Sequence, residues 1–78
     1  GDDPLVSAQV SELRARVRSA LGRLPAGQKR ALELAYFGGL TQQEIALQTG
    51  DRLGTVKTRI RLGMQKMRRA LQDETRDN

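Results

Sequence analysis

A chain of 78 residues with 14 Lys and Arg against 9 Asp and Glu has a net charge of +5, room for one small core and a bias toward a polyanionic partner. The absence of Cys and His excludes disulfides, thiolate metal sites and cysteine nucleophiles and removes the commonest general base, so no catalytic residue, metal or cofactor is expected. No run of 18 apolar residues and no charged-then-apolar leader is present, the pattern of a soluble, cytoplasmic chain.

In chain order, Gly1-Asp2-Asp3 reads as a linker or tag remnant of a longer protein, ahead of a domain at 4–72 and a polar tail at 73–78. Five acids lie in those end segments, so residues 4–72 hold 13 basic and 4 acidic side chains, a net of +9. Asp3 before Pro4 predicts a helix start. Val6, Val10, Leu13, Val17 and Leu21 then recur four and three apart along one helical stripe, and Gly22 is placed to end it. Leu24-Pro25 restarts the chain into a second helix with Ala31, Leu32, Ala35, Tyr36 and Phe37, closed by Gly38-Gly39. Both aromatics are expected to fill the core.

Thr41-Gln42-Gln43-Glu44 is a capping box, flanked by Leu40 and Ile45 as a hydrophobic staple, and opens a short third helix that Gly50 should end in a left-handed turn. Glu44 is read as a capping group with no second carboxylate placed for acid–base work. Asp51 can cap the last helix, whose stripe of Leu53, Val56, Ile60, Met64, Met67 and Leu71 ends near Gln72. No segment alternates with period two, so the predicted fold is all-α: four helices, with a winged-helix-like three-helical core plus an N-terminal helix and a helix-turn-helix at the C-terminal end. The stretch 50–55 lacks the Gly-Lys-Ser/Thr ending of a nucleotide phosphate loop.

Between Arg52 and Gln72 stand seven basic side chains and no acid. At 100° per residue the face opposite the stripe holds Thr55, Thr58, Leu62, Gln65 and Arg69, with Lys57, Arg61 and Arg68 on one flank and Arg59 and Lys66 on the other. A solvated helix face ordinarily mixes signs for intrahelical pairing, and a membrane-surface helix would carry Trp or Phe on its apolar side. One outer face for base edges and two basic flanks for phosphate walls suit a helix in a DNA major groove.

Residues 24–71 resemble region 4, the minus-35 recognition domain, of bacterial sigma-70 family sigma factors, most closely the extracytoplasmic-function group. The resemblance rests on Leu24-Pro25 with Gln28, Tyr36-Phe37 with Gly39-Leu40-Thr41, Glu44-Ile45-Ala46, and Leu53 through Ile60. It implies a non-enzymatic promoter-recognition domain that binds the minus-35 element within RNA polymerase holoenzyme. It puts Lys57, Thr58, Arg61 and Leu62 at base-facing positions. Phosphate contacts go to Thr41, Gln42, Gly54, Thr55 and Arg59. Leu62 stands where an Arg is frequent, and Ala35 where a basic residue is common. Implied partners are promoter DNA, the beta-subunit flap of core RNA polymerase and an anti-sigma factor, with no membrane and no small-molecule substrate. Two other readings fit the helix layout: a response-regulator output domain, against which Arg59 and the Leu24–Gln28 string count, and a protein-interaction module for an acidic regulator.

Overall fold

The computed structural model describes residues 3–76, with side chains from Asp3 through Gln72; residues 1–2 and 77–78 of the expected linker and tail lie outside it. Helix α1 spans Pro4–Gly22. Asp3 is its N-cap, the carboxylate accepting from the Leu5 N–H at 3.0 Å, and Pro4 takes the first turn where its missing N–H costs nothing. Helix α2 spans Ala26–Leu32 and runs on into a π turn at Glu33–Phe37. Helix α3 spans Gln42–Thr49 and helix α4 spans Leu53–Arg76. Helix α4 passes the expected stop near Gln72 by a full turn. Among the described residues there is no strand, and the all-α architecture is the one read from the sequence.

The π turn was not expected. Its wider ring is closed by the Gly38 N–H donating to the Glu33 carbonyl five residues back, at 3.0 Å, and beyond it the Leu40 N–H donates to Leu34 O, six residues back, at 3.0 Å. A Cβ on Gly38 would stand 2.7 Å from Leu34 O, so any other side chain forces the turn's backbone to shift. Gly39 follows at φ +69°, and Gly50 ends α3 at φ +79°, its N–H donating to Ala46 O at 2.9 Å.

The core has two parts. Ala20, Leu21, Leu24, Leu32 and Met67 form a buried cluster of α1, α2 and α4, with Val17, Ile60, Met64, Ala70 and Leu71 packed against it. Toward the other end Ala31, Ile45 and Val56 are buried, one each from α2, α3 and α4. Helices α2 and α4 approach so closely that a Cβ on Gly63 would meet the Leu32 side chain at 3.0 Å. The radius of gyration is 14.7 Å, against about 11.5 Å for a compact chain of this length. The excess reflects α1, whose N-terminal half overruns the core: Leu5, Val6, Val10 and Leu13 are exposed.

One core assignment is corrected. Tyr36 and Phe37 are 64% and 72% exposed. The inner face of α2 is already filled by Ala31 and Leu32, and no further element closes over the rings among the described residues.

Candidate nucleic-acid interface

Everything on the outer side of α4 follows from how its inner side is held. Val56 is 1% exposed and Gly63 and Met67 are buried, which fixes the rotation of the helix and turns the opposite face outward. Lys57, Thr58, Arg61, Gln65, Arg68 and Arg69 are all exposed, on a helix with no acidic side chain from Leu53 to Gln72. Three of the four expected base-facing residues, Lys57, Thr58 and Arg61, thus share one exposed face. Leu62 is half-buried, at the edge of that face beside Thr55 rather than in its middle.

The expected phosphate-contacting residues fall at two helix starts. Thr41 and Gln42 are exposed at the N-terminus of α3, where unpaired backbone N–H groups favour an anion. The capping box is complete there: Thr41 Oγ1 accepts from the Glu44 N–H at 3.1 Å, and Glu44 Oε1 accepts from the Thr41 N–H at 2.9 Å. An accepting hydroxyl keeps its proton as a donor, so Thr41 can still reach outward. These bonds, from the Thr41 backbone first and its side chain second, hold the Glu44 carboxyl below its ordinary value. Gly54, in the first turn of α4, is exposed with open space where a Cβ would stand, and Thr55 after it is half-buried.

Arg59 is engaged within the protein. Its Nη1 donates to Asp51 Oδ2 at 2.5 Å, and its guanidinium lies over Gly27 at the start of α2, Nε standing 3.0 Å from where a Cβ would be. The carboxylate expected to cap α4 is therefore turned to Arg59. The helix begins one residue later, with the Arg52 carbonyl accepting from the Val56 N–H at 3.1 Å. An acid and a base eight residues apart across a helix start give no periodic signal, and the pairing was not legible in the sequence.

A second surface was also missed. Val17, Leu21, Leu32, Tyr36, Phe37, Met64 and Met67 line an apolar groove between α1, the π turn and α4, and it continues along Leu13, Arg14, Arg18 and Glu33. Two adjacent aromatics directly before Gly38-Gly39 were the available signal. Among the described residues no group of His, Cys, Asp and Glu could hold a metal ion, and no helix is long and apolar enough to cross a membrane.

The family model for sigma-70 region 4 matches residues 14–67. The chain is 43% identical over 60 residues to the ECF RNA polymerase sigma factor RpoE of Cereibacter sphaeroides, covering 77% of this chain and 33% of that protein. It is 37% identical over 65 residues to the ECF RNA polymerase sigma factor SigK of Mycobacterium ulcerans, covering 83% and 35%, and 38% identical over 58 residues to SigK of Mycobacterium tuberculosis, covering 74% and 31%. The chain spans about a third of the length of these relatives. With the match at residues 14–67 covering more than half of the chain, including α3 and α4 through Met67, the chain belongs to the sigma-70 region 4 family, in its extracytoplasmic-function branch.

Proposed function

We propose that this domain reads the promoter minus-35 element as a sequence-specific, non-catalytic DNA-binding module, and so directs RNA polymerase to sites of initiation. The observation that carries the reading is the acid-free outer face of α4, with Lys57, Thr58 and Arg61 exposed over a buried inner stripe. In this reading α4 lies in the major groove, Lys57, Thr58, Arg61 and Leu62 meet base edges, and Thr41, Gln42, Gly54 and Thr55 meet phosphates from the two helix starts. The apolar groove with Tyr36 and Phe37 on its rim serves the protein side of the task. It is the candidate seat for a helix of core polymerase, the beta flap, or of an anti-sigma factor.

The test is a gel-shift titration on random and minus-35 duplexes at two salt concentrations. About four to six phosphate contacts give a log–log salt slope of about −4 to −5, and the minus-35 duplex binds more tightly than the random one. A slope near zero, with equal binding to both, sinks the reading. Leu62 sharpens it: a leucine can pack on a thymine methyl and cannot donate to guanine. Leu62→Arg is expected to move preference at the facing base pair from thymine toward guanine, with each wrong pair costing about 1–3 kcal/mol. Selection from randomised minus-35 duplexes in complex with polymerase measures this.

A further inference from the structure

Between Glu44 and Asp73 the chain has seven basic side chains and a single carboxylate, that of Asp51. It sits in the turn between α3 and α4, at the edge of the basic surface, and it holds Arg59. The guanidinium is pinned from two sides, by the carboxylate in the turn and by α2, where the absence of a side chain at Gly27 makes the slot it occupies. Yet the side chains of Arg59 and Asp51 keep 38% and 33% of their surface exposed. A pair so exposed stabilises the fold little, which leaves its charge chemistry as the consequence that matters. A phosphate oxygen and a carboxylate oxygen compete for the same guanidinium donors, and a cation already neutralised within the protein releases no counterion when DNA binds.

We propose that Asp51 is a positioning residue that withholds Arg59 from the DNA backbone and so limits sequence-independent affinity. Base contacts carry the discrimination between sequences, whereas phosphate contacts supply the non-specific term. An internal counter-ion on one flank of α4 trims the second and leaves the first, because Lys57 and Arg61 lie about 160° around the helix from Arg59 and Thr58 about 100° from it. The inference rests on the DNA-binding reading above. It departs from the role that family resemblance gives Arg59, since the arginine is spoken for.

The test is a double-mutant cycle in the full 78-residue chain: wild type, Asp51→Asn, Arg59→Gln and the double variant. Each is titrated on a random-sequence duplex at 50 and 200 mM salt, with circular dichroism melts to establish that each is folded and Asp51→Ser as the second variant should Asn unfold the domain. Arg59→Gln alone is expected to leave the salt slope at the wild-type value. Asp51→Asn is expected to tighten binding and steepen the slope by about one contact, so that affinity falls about three- to fourfold more between the two salts. The double variant returns to the slope of Arg59→Gln. Wild type without salt-dependent binding would overturn both the DNA reading and this inference. With wild-type binding intact, either of two results overturns the inference alone: a shallower slope in Arg59→Gln, which makes Arg59 a phosphate contact already, or an equal effect of Asp51→Asn with and without Arg59, which makes Asp51 mere background charge.

Discussion

Helices α1 and α4 carry the same written pattern, apolar side chains spaced three and four apart, and meet opposite fates. On α4 the stripe from Val56 to Met67 packs against α1, α2 and α3. On α1 only the C-terminal end is covered: Val17 packs on the core and Leu21 is buried, while Leu5, Val6, Val10 and Leu13 face outward. Periodicity therefore reports which face of a helix is apolar and is silent on whether the same chain supplies what covers it. The covered stripe makes the domain. The uncovered one leads directly into the groove of Leu13, Val17, Phe37 and Tyr36, the surface proposed above as the seat of a protein partner.

One substitution placed on both stripes breaks or upholds this contrast. Val56→Glu sets an unpaired carboxylate at a position 1% exposed and should cost about 3–5 kcal/mol, most of the stability of so small a domain. Val10→Glu, at a position 42% exposed, should change stability by no more than about 0.5 kcal/mol. Thermal melts followed by circular dichroism measure both, and equal losses would mean that the N-terminal half of α1 is packed after all.

The next effect concerns the border between the two surfaces. Gly38 closes the π turn that carries Tyr36 and Phe37 to the groove rim, and a Cβ there collides with Leu34 O. Gly38→Ala should cost about 1–3 kcal/mol, where Gly22→Ala, with nothing within 4 Å of the new Cβ, should be neutral or stabilising. Urea unfolding of the two variants separates them, and indistinguishable midpoints would argue that the turn opens without loss.

How far the sequence carries the reader depends on the range of the interaction. Signals made within a few residues were legible: the Asp3-Pro4 start, the Thr41–Glu44 box and the Gly50 stop are each complete in four or five positions, and the structure has all three. The stripe on α4 was legible because a helix of 24 residues repeats its period several times. The exposure of Tyr36 and Phe37 was not, since burial depends on what other elements leave vacant. Nor was the Asp51–Arg59 pair, which needs the helix start placed to within one residue before its two ends meet. For the interface, the exposure of Lys57, Thr58 and Arg61 follows from helical phase alone. Half-burial of Leu62 departs from it, and nothing in the sequence fixes how far neighbouring side chains lean over that position.

Helix α3 supplies a third case, neither well covered nor facing a partner by a stripe. Its one buried side chain is Ile45, so its order depends on its ends, and Thr41→Ala should cost about 0.5–2 kcal/mol through the lost cap. The smallest expected effect is the pH dependence of the same box. Glu44 is held below its ordinary 4.5 in the folded protein by the Thr41 backbone N–H and then by the Thr41 side chain. A carboxyl whose folded value is depressed adds stability that is fully present above its unfolded value and is lost as pH falls through the folded one. The melting temperature should therefore drop as pH is lowered through 4.5 and below, and Glu44→Gln, which keeps an acceptor but cannot titrate, should show a smaller drop over that window. Because Glu44 is fully exposed the difference will be modest, and the comparison must be made at fixed salt. Parallel curves for the two would mean that the box holds α3 by hydrogen-bond geometry alone, with no contribution from the charge on Glu44.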